Sequence, residues 1–333
     1  MKNRPNRAAP FLQGFFMDLP ALRDDELNVP GLHVGATCED PSKPWRNYGL
    51  FESSNPDSGF QKRAEYQSRL RVGMAQSLPL GTASVDYRLV DYASSFVVEM
   101  LHPEDALEAV TDQEMVAGRN RFLVGDEIMG VATPRLLSTD PYTGLDTYEF
   151  TTLLRGLQDT FPEMDTHVSG EPVVWLDGPG LNFFVHSASR INEARYYKVV
   201  PAGGTIAEAV PQLVTSSGRT LKPFRPLQIA GTRDGSNNLT VTWERQTRRT
   251  FQIGEQSLPL EEELERYRIQ VLSGAGAVIR DTIVRVDPGA ARTWLYTAFA
   301  QSGDGITPGS PVTLELSQLS ALVNDGNASR VTL

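Results

Sequence analysis

The chain turns too often to hold long helices. Its 28 glycines and 22 prolines fall between short apolar runs, so most elements must be brief and many connections must be turns. Several runs alternate apolar with polar residues. Leu239, Val241 and Trp243 alternate with Thr240 and Thr242, and Tyr267, Ile269 and Val271 with Arg268 and Gln270. Tyr296, Ala298 and Ala300 repeat the pattern. A period of two puts each set on one face of a strand, and the expected fold is mainly β.

At 333 residues the chain is too long for one ordinary core. Residues 1–30, punctuated by Pro5, Pro10, Pro20 and Pro30, read as an extended arm. Its Phe15, Phe16, Leu19 and Leu22 would cover the body or a partner. Residues 31–221 read as a β-rich region, as one body or two. Strands are expected at Leu32–Ala36, Val85–Val90, Phe96–Leu101, Arg121–Ile128, Met129–Leu136 and Tyr148–Leu154, and at Val173–Leu176, Leu181–Val185 and Arg195–Val200. One helical segment is expected over 103–117, with Pro103, Glu104 and Asp105 at its start, Gly118 at its stop, and Thr111–Asp112 dividing it.

Pro223 and Pro226 mark a linker into residues 222–320, where six strands are expected, with Trp294–Ala300 and Pro311–Gln318 the last two. That is the size of an immunoglobulin-like sandwich. A core of Trp243 against Tyr267 and Tyr296 fits a fibronectin-III-like version, in which Tyr296 would make a tyrosine-corner bond. Residues 321–333 are left as a C-terminal tail.

The formal net charge is −10, which argues against nucleic-acid binding as the main task, and no sequence-specific nucleic acid is expected as a partner. The one cysteine, Cys38, can form no disulfide within the chain. Apolar runs such as Phe183–Val185 are far short of a membrane span, and the N-terminal stretch makes a poor signal peptide. None of His33, His102, His167 and His186 has a second histidine at metal-ligand spacing, and His102-x-Glu104-Asp105 is a lone local cluster. The Gly-x-Ser-x-Gly elbow of hydrolases is missing, and Gly274-Ala275-Gly276 reads as a hairpin turn. No catalytic residue, metal or cofactor is expected, and the chain reads as a non-enzyme. A glycan-binding module would use exposed aromatics, for which Trp45, Tyr48 and Phe60 are candidates ahead of Trp175; packing is the preferred role for all of them. Arg245, Arg248 and Arg249 stand a dozen residues before Glu261, Glu262, Glu263 and Glu265. The two blocks could pair within the domain or join copies of the chain, so they enter the candidate assembly contacts with Phe15, Phe16, Leu19 and Leu22.

Several strings, in order along the chain, resemble the tail hub family of siphophages and gene-transfer agents, related to the lambda-type tip attachment proteins. They are FMDLPALRDDELNVPGLHVGA, PWRNYGLFES, NRFLVGDE (Asn120–Glu127), YEFTTLLRG (Tyr148–Gly156) and HVSGEPVVWLD (His167–Asp177). LTVTWERQTRR and LPLEEELERYRIQVL resemble the fibronectin-like domain that closes many of these proteins. Leu157–Gln158–Asp159 departs from the basic–Gly step that usually follows the family's Leu-Arg-Gly. The match covers nearly the whole chain but only the later portion of a usual hub. The resemblance implies a structural virion protein of the tail tip, made in the host cytoplasm. Its expected partners are copies of itself, as a homotrimer around the tail axis, and other hub and fibre proteins.

Overall fold

The computed structural model describes residues 12–38, 40, 43–103, 105–249 and 259–333. The chain divides into two units, one of the residues up to Leu19 with Pro30–Ser217, the other of Pro20–Val29 with Gly218–Leu333. Both are antiparallel and the fold is mainly β.

The first unit carries β1 (Leu12–Met17), β2 (Gly31–Cys38), β3 (Tyr48–Ser53), β4 (Gln61–Tyr66), β5 (Val72–Ala75) and β6 (Val90–Met100). It continues with β7 (Arg121–Val124), β8 (Glu127–Thr139), β9 (Asp146–Leu154), β10 (Pro172–Trp175), β11 (Asn182–Val185), β12 (Ala194–Pro201) and β13 (Gln212–Thr215). Strands β1, β2 and β11 form one sheet, and β13, β12, β3 and β4 another. Strands β10, β5, β6, β9, β8 and β7 close into a barrel.

The expected arm is therefore no separate element. Residues 12–17 pair with β2 from Leu12–Cys38 to Met17–His33, and Pro20–Val29 belong to the second unit. Every residue of β2 is buried, as in a strand covered on both faces. Gly35 makes room there, because a Cβ would sit 2.6 Å from Leu70 Cδ2.

The expected helix shrinks to α1 (Asp112–Val116). Thr111, read as a divider, is its N-cap: the hydroxyl accepts from Glu114 N, and the Glu114 carboxylate accepts from Thr111 N. Asp105, expected to cap a longer helix, instead takes the guanidinium of Arg69 at 2.7 and 2.8 Å. No strand covers Val85–Arg88, and β6 starts at Val90. Glu104 lies outside the described residues.

The barrel core follows period two: Phe96, Val98 and Met100 on β6, Phe122 and Val124 on β7, Met129 and Val131 on β8, Tyr148 and Phe150 on β9. On β9 the parity then slips. Thr152 takes a left-handed φ of 55°, and opposite it the register jumps between Asp91 and Ser95. A bulge exchanges the faces that follow it, so Leu153 and then Arg155 turn inward.

The second unit carries β14 (Leu227–Arg233), β15 (Leu239–Glu244), β16 (Arg266–Leu272), β17 (Val278–Arg285), β18 (Thr293–Tyr296), β19 (Thr313–Ser320) and β20 (Asn324–Thr332). The sheet β14-β15-β18 faces the sheet β17-β16-β19-β20, the three-on-four layering of a fibronectin-III-like sandwich. Trp243 and Tyr267 meet edge to face at 5.1 Å inside it, with Tyr296 in the same core.

Three expectations change here. Residues 321–333 are no tail: β20 pairs with β19 from Thr313–Thr332 to Ser320–Asn324, and Val331 and Leu333 pack on the core. The strand expected at Trp294–Ala300 ends at Tyr296, because Thr297 caps α2 (Ala298–Gly303) by accepting from Ala300 N. Tyr296 makes no bond of the tyrosine-corner kind; its hydroxyl donates to Asp304 at 2.5 Å, a carboxylate also held by Arg280.

A chain ended after Leu322 would lose β20 and its apolar contacts. We expect the sandwich to weaken by at least about 3 kcal/mol, seen in urea unfolding as an early shift of one transition while the barrel unit keeps its own.

Candidate functional site

Three loops of the first unit converge on Glu127. The turn Val124-Gly125-Asp126 brings it to the start of β8, the slipped parity of β9 delivers Arg155, and the segment before β10 carries His167 and Glu171. Two glycines permit the approach. Gly156 takes φ of 60° and donates its N–H to Glu127 Oε1 at 2.7 Å. At Gly125 a Cβ would run into the carboxylate of Glu171.

Arg155 grips Glu127 with two parallel bonds, Nε to Oε1 at 2.9 Å and Nη2 to Oε2 at 2.7 Å. Its Nη1 donates to Leu80 O at 2.7 Å and lies 4.0 Å from Asp91 Oδ2. His167 bridges two carboxylates, Nε2 to Glu127 Oε2 at 2.8 Å and Nδ1 to Glu171 Oε1 at 2.6 Å. The side chains of Arg155 and Glu127 are fully buried and that of His167 is 4% exposed.

Burial alone would drive a charged imidazole downward. Here it is outweighed by the bond and charge of Glu127 and by Glu171, and His167 is held above the usual histidine value. Burial likewise opposes the Glu127 carboxylate, but His167, Arg155 and the Gly156 N–H hold it below the usual range. As the imidazolium, His167 donates through both nitrogens.

Both Glu127 oxygens and both imidazole nitrogens are thus engaged inside the protein, so the arrangement pins three loops together. Among the described residues no group of three or more His, Cys, Asp or Glu is placed to hold a metal ion. Glu127, Arg155, His167 and Glu171 lie in the strings NRFLVGDE, YEFTTLLRG and HVSGEPVVWLD, yet nothing in the sequence pairs them. The signal was the placing of single charges beside apolar runs, Glu127 before Ile128–Met129 and Arg155 after Leu153–Leu154.

The other sequence candidates scatter. Phe15 and Phe16 are half-buried, with Phe16 5.2 Å from the ring of Tyr197, while Leu19 and Leu22 are buried. Most of the Arg and Glu blocks pair inside the sandwich unit. Arg248 donates to Glu262 at 3.0 Å, Thr220 O at 2.7 Å and Asn28 Oδ1 at 3.0 Å. Arg245 and Arg292 share Glu265, and Thr247 donates to Glu261. Burial pushes the Glu262 carboxyl up, against the pull of Arg248. Only Arg249, 3.7 Å from Asp24, and Glu263 stay largely exposed. The proposed aromatic platform is spent on packing. Tyr48 is buried, Trp45 donates to Gln67 O at 2.6 Å, Lys198 lies over Phe60, and Arg71 over Trp175.

Residues 71–174, which include the whole cluster, match the family described as Rcc01698-like, C-terminal. No curated protein matches the chain. Among solved structures it is similar to the FN5 domain of Drosophila Lar, at 17% identity and TM-score 0.21 over 33% of this chain and 94% of that one. It is also similar to a two-domain fibronectin type-III segment of chicken tenascin, at 10% identity and TM-score 0.26 over 98% of each chain. Chicken CNTN1 FN1-FN3 gives 7% identity and TM-score 0.24 over 98% of this chain and 97% of that one. With scores this low, the sandwich rests on its own strand order.

Glu127→Ala leaves Arg155 buried without its main counter-ion and should destabilise the barrel by about 3–5 kcal/mol, read from its urea midpoint. The pH dependence has two arms. The His167 contribution is complete below about pH 6.5 and drains away as pH rises through its elevated folded value. The Glu127 contribution is present above the ordinary carboxylate range and is lost as pH falls through its depressed folded value. Stability should peak between them, and His167→Gln should remove the alkaline arm while an acid arm remains.

Proposed function

We propose that this chain is a structural protein of a phage-type tail tip, a hub or hub-associated subunit. It assembles with copies of itself, as a trimer around the tail axis, and links the tube to the parts that meet the host. One observation carries the reading. The strings NRFLVGDE, YEFTTLLRG and HVSGE, which bear the resemblance to tail hub proteins, supply Glu127, Arg155–Gly156 and His167–Glu171, and these residues meet in one buried cluster. Residues far apart in sequence and resembling one family in order have a shared physical reason to keep that form.

A second support is the chemistry of the cluster. Both Glu127 oxygens and both His167 nitrogens are bonded to neighbours, which suits a part whose task is to stay rigid under load. The match of residues 71–174 spans the same three strings.

The test is composition and position. Mass spectrometry of purified particles should find the chain in the virion, and a gold label on a tag after Leu333 should mark the distal end of the tail. A chain confined to the host lysate, with particles assembling normally when its gene is deleted, would sink the proposal.

A further inference from the structure

The two ends of the larger sheet of the sandwich, β17-β16-β19-β20, are finished differently. On the β20 side, Asn327 N donates to Pro223 O at 2.9 Å and Ser329 Oγ to Pro226 O at 2.6 Å, so the segment Pro223–Pro226 lies against that strand. Strand β17 pairs with β16 alone, and among the described residues no backbone bond joins Val278–Arg285 to any other segment. An open strand edge is a template for another strand.

Part of this edge is regular. A register shift between Val271 and Leu272 disturbs the end near Val278, but from Arg266–Arg285 to Gln270–Asp281 the pairing with β16 is continuous. In that stretch the exposed residues alternate as Asp281, Ile283 and Arg285. Ile283 is 54% exposed, and the side chains of Asp281 and Arg285 are 47% and 61% exposed. An apolar side chain thus stands between an acid and a base, two residues from each.

That order is self-complementary. Two copies of β17 laid edge to edge and antiparallel are related by a twofold axis normal to the sheet, which sets residues equally distant from the axis opposite each other. With the axis on Ile283, that residue meets its own copy, and Asp281 of each chain faces Arg285 of the other. Thr282 faces Val284 on the inner side. With the axis on Asp281 or Arg285, like charges meet; with the axis on Thr282 or Val284, Ile283 meets a charge. Within the chain Arg285 lies opposite Arg266, of like charge, and 3.3 Å from Asp287. Asp281 lies opposite Gln270 and 3.5 Å from Arg268. A carboxylate arriving on the open side of Arg285 offsets the repulsion from Arg266.

We infer that two copies of this chain pair through β17, antiparallel and centred on Ile283, so that their four-stranded sheets become one continuous sheet. The contact is isologous and closes at two copies. It goes beyond the proposed function, does not rest on it, and is separate from the trimer placed around the tail axis. A ladder over Asp281–Arg285 is much smaller than a standard interface, so the pairing is weak and belongs to concentrated solution.

Sedimentation of the full chain at about 0.1 mM should show a monomer–dimer equilibrium. Asp281→Arg or Arg285→Asp alone sets like charges opposite each other at two places and should weaken dimerisation about tenfold or more. The double exchange should restore it, which a loss of folding or of a contact within the chain would not do. Identical positions on the axis have Cα atoms about 4.5–5.5 Å apart, within disulfide reach. Ile283→Cys should therefore give a linked dimer on mild oxidation, whereas Val278→Cys, 50% exposed, should not. The native Cys38 is buried and takes no part. A wild-type chain that stays monomeric, a double exchange that fails to recover, or oxidation that links position 278 as readily as 283 each overturns the inference.

Discussion

The barrel unit depends on a buried arginine that cannot lose its charge. Arg155 is fully enclosed, and removing a guanidinium from water costs several kcal/mol unless its donors are met. Glu127 meets two of them and the carbonyl of Leu80 a third. Because Glu127 must then sit beside Arg155, the turn before β8 and the end of β9 are fixed relative to each other. His167 and Glu171 extend the constraint to the segment before β10, and the barrel strands are tied by side chains as well as by backbone bonds.

The sandwich unit solves a similar problem with Arg248. Its donors reach Glu262, a main-chain carbonyl and an asparagine of the segment Pro20–Val29. Glu262 in turn accepts from Gln318 on β19 at 2.8 Å. An arginine fork can join segments distant in sequence at one point, which a lysine does less well. In both units ionic residues are used as fixed joints, where geometry matters more than net stabilisation.

The contrast between interior and surface follows. Charges that looked available in the sequence are largely consumed internally, whereas the β8–β9 hairpin keeps Leu136, Leu137 and Tyr142 in solvent.

Much of the strand content was legible because period two is local. Phe96, Val98 and Met100, or Tyr267, Ile269 and Val271, announce a buried face within six residues or so of sequence. Strands without that pattern were missed or, like β2, only cut short at their ends. In β2 every position is buried, so its ends did not stand out, and β4 and β20 carry mostly polar or half-exposed residues. The helix was overestimated because Asp105 serves Arg69 instead of a helix end.

By itself, then, the sequence determined the mainly β class and the sandwich core of Trp243 and Tyr267, since alternation along a strand is a property of neighbouring residues. It also held the three strings of the cluster, though not their meeting. Only the tertiary structure decided that residues 12–17 are a strand, that the last residues complete the sandwich, and that Glu127, Arg155, His167 and Glu171 share one buried site. Those outcomes depend on register and on a bulge at Thr152, which set what lies opposite what, and no local pattern carries that information.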